Sequence, residues 1–176
     1  MTQRSVSLAW LLTILLLTVL AGFSWVDLTL SPASGGQQIQ VTGFLVFPII
    51  SALLLLQGSA LLAAFFTPPL VGRIISAALV PVVLWHAVVV LSTIQQGLQD
   101  AVAAEITKAT GVVGIASQAQ LVETALDSNL WYVYLGVLVF NIVALVARAL
   151  VGNVAVKKNV ASVVLDESDD LWENQR

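Results

Sequence analysis

The stretch at residues 130–151 reads LWYVYLGVLVFNIVALVARALV, a largely apolar run that opens on a cluster of aromatic residues. A membrane-spanning helix needs about 20 apolar residues, each adding about 1.5 Å, so this run is long enough to cross a bilayer. Three other runs share that property, at 6–25, 41–66 and 70–91. The prolines of TPP at 67–69 separate the second run from the third, because they cannot continue a helix. The sequence predicts an all-α integral membrane protein with four transmembrane helices.

The composition supports this class. Of 176 residues, 59% are hydrophobic and only 10% are charged, whereas a soluble domain carries about 25% charged residues. The length fits one membrane domain, predicted at 1–152. The chain contains no cysteine, which excludes disulfides, thiolate metal sites and iron–sulfur clusters. The sequence has no basic patch of the kind that binds nucleic acid.

The basic residues predict the orientation. With four spans, one side of the membrane carries both termini and the turn after the second span. Six basic residues fall on that side: Arg4, Arg73, Arg148, Lys157, Lys158 and Arg176. Only Lys108 falls on the other. Because cytoplasmic segments are enriched in Lys and Arg, we expect a plasma-membrane protein with both termini in the cytoplasm.

The first run also has features of a signal peptide, with Arg4 before it and VLA before Gly22. Its apolar stretch is longer than the core of a typical signal peptide. We therefore predict that it is a retained span.

Two segments are predicted outside the spans on the outer side, at 26–40 and 92–129. The first is predicted as a loop, with a small hairpin of its LTL and IQV portions as the alternative. In the second, apolar residues recur at helical spacing: Leu98, Val102 and Ile106, then Leu121 and Ala125. This predicts two short amphipathic helices, separated by Gly111 and Gly114, that form a helical extracytoplasmic cap.

The cap is acidic, and the C-terminal tail at 153–176 is basic first and acidic at its end. The cap's acidic residues are Asp100, Glu105, Glu123 and Asp127. They form either ordinary solvated helix faces or an acidic docking surface for a partner. The basic part of the tail is typical of contact with anionic lipid headgroups.

Four polar residues within the spans are candidates for contacts inside the membrane: His86, Asn141, Gln57 and Ser51. At 1.5 Å per residue, Asn141 lies about 16 Å from the outer end of its span and Ser51 about 15 Å from that of its own. Ser51 is therefore a candidate partner for Asn141, and both Asn141 and Gln57 are predicted to stabilise helix packing.

His86 is the only histidine and lies in LVPVVLWHAVVVL at 79–91. It is about 7–8 Å from the predicted outer end of its span, so we expect an interfacial or packing histidine that reaches headgroups, water or Thr18. One alternative is an axial haem ligand. Aromatic residues are also predicted to anchor the outer interface: Trp25, Trp85, Trp131 and Tyr132.

Motifs for catalysis are absent from the sequence. No glycine-rich phosphate loop or metal-spaced group of ligands is present, and every Asp and Glu lies outside the apolar runs. Acid–base or nucleophilic chemistry would need partners that the spans do not contain. We therefore predict neither an enzyme nor a bound cofactor.

The pattern resembles a family of actinobacterial membrane proteins encoded beside tryptophan-biosynthesis genes. The resemblance rests on Ser24–Trp25–Val26, Val41–Thr42–Gly43, Arg73 before the third span, an Ala- and Val-rich outer segment, and Trp131 at the start of the fourth span. It covers roughly residues 5–152. The turn at Arg73 is less basic than is usual in that family, and the acidic tail lies outside its pattern. The resemblance implies four spans and no catalytic residues.

These features favour a non-catalytic accessory subunit of a larger plasma-membrane complex. Its partners would be lipids and other integral membrane proteins, and the resemblance to actinobacterial proteins suggests a respiratory complex as the host. The alternative is a small transporter or permease component for tryptophan or another aromatic compound. That alternative is motivated by Pro48 and Pro81, which are expected to kink the second and third spans, and by the Trp85–His86 pair.

Overall fold

A computed structural model of the protein describes residues 3–96 and 99–151. In chain order its elements are α1 (Gln3–Gly22), β1 (Ser24–Leu30), β2 (Gln38–Thr42), α2 (Gly43–Val46), α3 (Ile49–Phe66), α4 (Pro69–Gln96), α5 (Gln99–Thr110), α6 (Ile115–Ala119), β3 (Val122–Asp127) and α7 (Leu130–Leu150). A 3-10 turn at Pro32–Ser34 joins β1 to β2. The predicted tail at 153–176 lies outside the described residues.

Four of the helices, α1, α3, α4 and α7, are long and apolar enough to cross a membrane. This confirms the number of long apolar helices and corrects several of their boundaries. The first helix ends at Gly22, and the predicted residues 23–25 leave it for β1. The second run is not one helix, since α2 ends at Val46 and α3 begins at Ile49, after Pro48.

The buried residues of each long helix recur at alternating intervals of three and four. On α7 this stripe comprises Trp131, Tyr134, Leu138, Asn141, Leu145 and Arg148, with Ala144 buried beside it. On α1 it comprises Ser7, Trp10, Ile14, Leu17 and Ala21, and on α4 it comprises Ser76, Leu79, Val83, His86 and Val90. Val6 and Thr13 are likewise buried beside the stripe of α1. This spacing is typical of helices that cross at about 20°. Helix α7 packs against α1 and α4, and α3 packs against the other sides of both, so the order around the bundle is α1, α7, α4, α3.

A small cap covers one end of the bundle. Its three-stranded antiparallel sheet has the order β2, β1, β3. Val26, Leu28 and Leu30 alternate along β1 and pack with Ile39 and with Ile106 of α5. Alternation with a period of two buries one face of a strand, which explains why SWVDLTL leaves the helix.

The sheet corrects the predicted all-α class and the predicted cap. The hairpin alternative for 26–40 is correct, and the second predicted cap helix is wrong where VETALD forms β3. The first half of the cap is helical as predicted, in α5. Helix α4 also continues past the predicted end at Leu91, to Gln96.

Trp25 joins the cap to the bundle. Its ring is fully buried, at 5.4 Å from the ring of Tyr134 and 6.0 Å from that of Phe47, and its Nε1 donates to the carbonyl of Leu20 at 3.0 Å. The prediction of an interfacial anchor at Trp25 is therefore wrong, because the strand folds the ring inward. Gly43 makes room for it, since a Cβ there would lie 2.6 Å from the indole ring.

Substituting Gly43 tests this packing. We expect Gly43→Ala to lower the free energy of unfolding by about 1–3 kcal/mol, because the new methyl group would overlap the Trp25 ring. Thermal unfolding in detergent, followed by intrinsic fluorescence, measures the change.

Gly58→Ala on α3 is the matched control, because a Cβ there meets nothing within 4 Å and alanine favours a helix over glycine by about 1 kcal/mol. It should be neutral or stabilising. Equal loss of stability in the two variants would contradict the packing described for Gly43.

Candidate functional site: a polar seam inside the bundle

Three buried polar residues lie on α7 at intervals of seven, at Tyr134, Asn141 and Arg148. At 1.5 Å per residue they are about 6, 16 and 27 Å from the start of the helix at Leu130. We call these the outer, middle and inner polar levels. Each level contacts a neighbouring helix, so the candidate site is a polar seam rather than a single pocket.

Arg148 forms the inner level and is only 3% exposed. Its Nη1 donates to the hydroxyl of Ser7 on α1, and its Nη2 donates to the carbonyl of Ala64 on α3 at 3.3 Å. Its Cζ lies 5.6 Å from the centre of the Trp10 ring, in cation–π contact. A Cβ at Gly72 of α4 would lie 3.6 Å from Nη2. All four long helices therefore meet at this guanidinium.

No carboxylate balances the charge of Arg148 within the described part of the chain, where the acidic side chains all belong to the cap. The helix ends supply the compensation. Arg148 lies in the last turn of α7, and Ala64 lies in the last turn of α3. The C-terminal end of a helix carries partial negative charge and carbonyls without partners in the helix. Two such ends stabilise the cation here.

Gln57, which is predicted from the sequence to stabilise helix packing, lies in the same inner region. It is fully buried, and its Oε1 accepts a hydrogen bond from Nε1 of Trp10 at 3.1 Å. The Trp10 ring thus binds Gln57 through its edge and Arg148 through its face. Nε2 of Gln57 has no hydrogen-bond partner among the described residues.

Asn141 forms the middle level, but its partner differs from the predicted one. Its Nδ2 donates to Oγ1 of Thr13 on α1 at 2.8 Å, and Thr13 in turn donates to the carbonyl of Trp10. Ser51 is exposed on α3. The expectation of a bond between Asn141 and Ser51 is wrong, because α3 begins at Ile49 and Ser51 lies only about 3 Å from that end, whereas Asn141 lies about 16 Å from the start of α7.

His86 forms the outer level with Tyr134. It is 1% exposed, and its Nε2 lies 3.0 Å from the Tyr134 hydroxyl. The expected contact with Thr18 is absent, since that hydroxyl donates to Ile14 of its own helix. The ring of His86 also meets Phe47 edge-on at 6.3 Å. His86 is therefore a buried packing residue and not one that reaches water or headgroups.

The predicted interfacial aromatics divide into two pairs. Trp85 and Tyr132 are exposed on the outside of the bundle, where lipid would lie. Trp131 is buried in the seam of α7, as Trp25 is buried beneath the cap. Trp131 therefore fills the core at the outer end of the bundle and does not anchor the interface as predicted.

A groove of about 180 Å³ opens beside the outer level, between α3 and α4. Ile49, Ala52 and Leu56 form its α3 wall, and Val82, Trp85 and His86 form its α4 wall. The imidazole of His86 and the indole N–H of Trp85 are the polar groups among these side chains. The groove is open on the side where the helices would face lipid, because Leu56 and Trp85 are themselves about half exposed.

The sequence did not identify Arg148, Tyr134, Thr13 or Trp10 as members of the site. The sequence did contain one signal for the seam: Tyr134, Asn141 and Arg148 recur every seven positions, which places them on one helix face. Within the described residues, no group of three or more His, Cys, Asp or Glu side chains could hold a metal ion. The seam offers hydrogen bonds, one cation and the His86–Tyr134 pair, and its described residues include no carboxylate.

No protein-family model matches the chain, and no curated protein or solved structure shows significant similarity to it. The resemblance to the actinobacterial family stays a prediction.

The bond between Asn141 and Thr13 can be measured with a double-mutant cycle. We expect Asn141→Ala and Thr13→Ala to be coupled by about 0.6–2 kcal/mol in unfolding free energy, the range for hydrogen bonds between membrane helices. A parallel cycle with Ser51→Ala should show no coupling to Asn141. Coupling to Ser51 instead of Thr13 would contradict the helix order.

The inner level is tested at Arg148. Arg148→Leu removes the donors to Ser7 and to the Ala64 carbonyl, and we expect it to destabilise the bundle by about 1–3 kcal/mol. Arg148→Lys keeps the charge but loses the planar contact with Trp10 and the second donor, so it should recover only part of the loss. Detergent unfolding midpoints compare the variants. Full stability of Arg148→Leu would show that the contacts contribute nothing.

Proposed function

We propose that the protein is a non-catalytic accessory subunit of a larger plasma-membrane assembly, with both termini in the cytoplasm. The observation that carries the proposal is that β3 is an exposed edge strand. It lies at the edge of the sheet, and all its residues after Val122 are exposed. An exposed edge strand offers a row of backbone groups for pairing with another chain.

The side chains of β3 add apolar area to that edge. Leu126 is 68% exposed and lies across β1 from Gln40, since both face Asp27 in the sheet register. The α5 helix covers the other face of the sheet through Ile106 and leaves this face open. Exposed apolar residues at a free strand edge favour a protein partner over water.

The charge along the β3 edge indicates what the partner carries. Asp27 is exposed on the same face as Leu126, and Glu123 and Asp127 are exposed on β3 itself, where Asp127 lies on the other face, opposite Val26. Lys108, by contrast, lies on α5 and pairs with Glu105 at 3.6 Å. Complementary charges guide docking and suppress wrong partners. The proposed occupant is therefore an extended, basic, extracytoplasmic segment of another membrane protein.

The proposed orientation rests on the distribution of basic residues. Arg73 and Arg148 lie near the end of the bundle opposite the cap, and Lys108 lies in the cap. The bias of Lys and Arg toward the cytoplasm therefore supports a cap on the outer side.

The polar seam gives less support to a permease for tryptophan. A zwitterionic amino acid needs partners for both of its charges. The described residues of the four long helices include no acidic side chain, and the guanidinium of Arg148 is taken up by Ser7, Ala64 and Trp10. Packing is the role that the seam supports best.

The proposal is tested on a tagged chain extracted from its own membrane in mild detergent. We expect it to migrate on native gels with at least one other integral membrane protein, and Leu126→Lys to release that protein by burying a charge at the contact. Co-purification and mass spectrometry provide the measurement.

Val113→Lys is the matched control, since Val113 is 77% exposed in the cap but lies outside the sheet. It should retain the partner. Migration of the wild-type chain alone as a monomer or homodimer, or full retention of the partner by Leu126→Lys, would overturn the proposal.

A further inference from the structure

The groove between α3 and α4 combines an apolar wall with one unsatisfied polar atom. His86 lines it, and Nδ1 of that side chain has no hydrogen-bond partner within the described ranges. Buried polar groups are nearly always paired, and one left without a partner costs about 1–3 kcal/mol. A buried nitrogen without a partner, on a side chain that lines an open groove, indicates a ligand atom that is supplied from outside the bundle.

The pairing of Nε2 with Tyr134 favours one tautomer of the neutral imidazole. A tyrosine hydroxyl has one hydrogen to donate, and among the described residues His86 is the hydrogen-bond partner of the Tyr134 hydroxyl. If Tyr134 donates to Nε2, the neutral imidazole carries its own hydrogen on Nδ1. Nδ1 of His86 is then a donor, and the missing partner is an acceptor such as a carbonyl oxygen.

The size and polarity of the groove narrow the ligand further. An apolar cavity of about 150 Å³ holds one benzene ring, so the space here, about 180 Å³, suits a flat ring whose tail extends into lipid. Trp85 provides an aromatic wall for stacking. No charged side chain lines the groove, which excludes ionic ligands, since an unpaired charge there would be strongly destabilising.

We propose that this groove binds the ring of a neutral, lipid-soluble carbonyl compound of the quinone class, with Nδ1–H of His86 donating to a ring carbonyl. The ring enters sideways from the lipid between Ala52 and Trp85. The groove is a binding site, and the assignment includes no electron transfer.

The single histidine makes a direct test possible. Protein labelled with 15N-histidine and purified on a tag without histidine gives the signals of His86 alone. In nanodiscs made from ether-linked lipids, which carry no ester carbonyls, we expect the signal of an Nδ1-protonated imidazole. Addition of a naphthoquinone should shift that signal and reach saturation.

Ala52→Phe and Ala63→Phe form a matched pair of variants, because both alanines are exposed on α3 and only Ala52 lines the groove. The saturable shift should be lost in Ala52→Phe and kept in Ala63→Phe. If Ala52→Phe fails to fold, the wild-type titration decides by itself.

Three results would overturn the proposal. The first is an Nε2-protonated imidazole, and the second is a shift that grows linearly with the naphthoquinone, as simple partition into the bilayer would produce. The third is an equal shift on changing from ether-linked to ester-linked lipids without any quinone. That result would identify a phospholipid carbonyl as the occupant.

Discussion

The burial of the Arg148 guanidinium constrains the rest of the bundle. A cation in an apolar interior is tolerated only where fixed dipoles replace its hydration. Here the ends of α3 and α7 and the hydroxyl of Ser7 supply those dipoles. Because the three groups belong to three helices, satisfying one side chain fixes how far each helix extends at the inner end. Gly72 then lets α4 approach the same point.

The spacing of the polar levels fixes the register of α7. Contacts between leucines discriminate poorly between registers in lipid, because acyl chains are as apolar as leucine. A slide of α7 by one heptad would preserve the apolar seam, yet it would place Asn141 where Arg148 or Tyr134 now lies. Thr13 and His86 would then lose their partners. Three different polar groups at equal spacing therefore select one register among several that pack equally well.

Hydropathy was sufficient to locate the four long helices, since length and apolar content decide whether a segment can cross a bilayer. It could not show which helices pack against one another. Ser51 lies only about 3 Å from the start of α3 at Ile49, whereas Thr13 lies about 13–14 Å from the end of α1 at Gly22. Thr13 therefore reaches the level of Asn141, and Ser51 does not. The cap was ambiguous for another reason, because Leu121 and Ala125 fit a helical spacing while VETALD pairs as a strand with β1. Tertiary pairing overrode the local pattern.

The outer end of the bundle is closed by a ring of four aromatic side chains. Trp25, Phe47, His86 and Tyr134 contact one another in turn, with ring centres 5.4–6.3 Å apart. Each comes from a different segment, and the sheet lies above Trp25. This closure separates His86 from the aqueous side of the cap, so the groove between α3 and α4 is the open approach to it among the described residues. A compound dissolved in lipid would therefore approach that imidazole along the groove, since the aromatic ring closes the side that faces the cap.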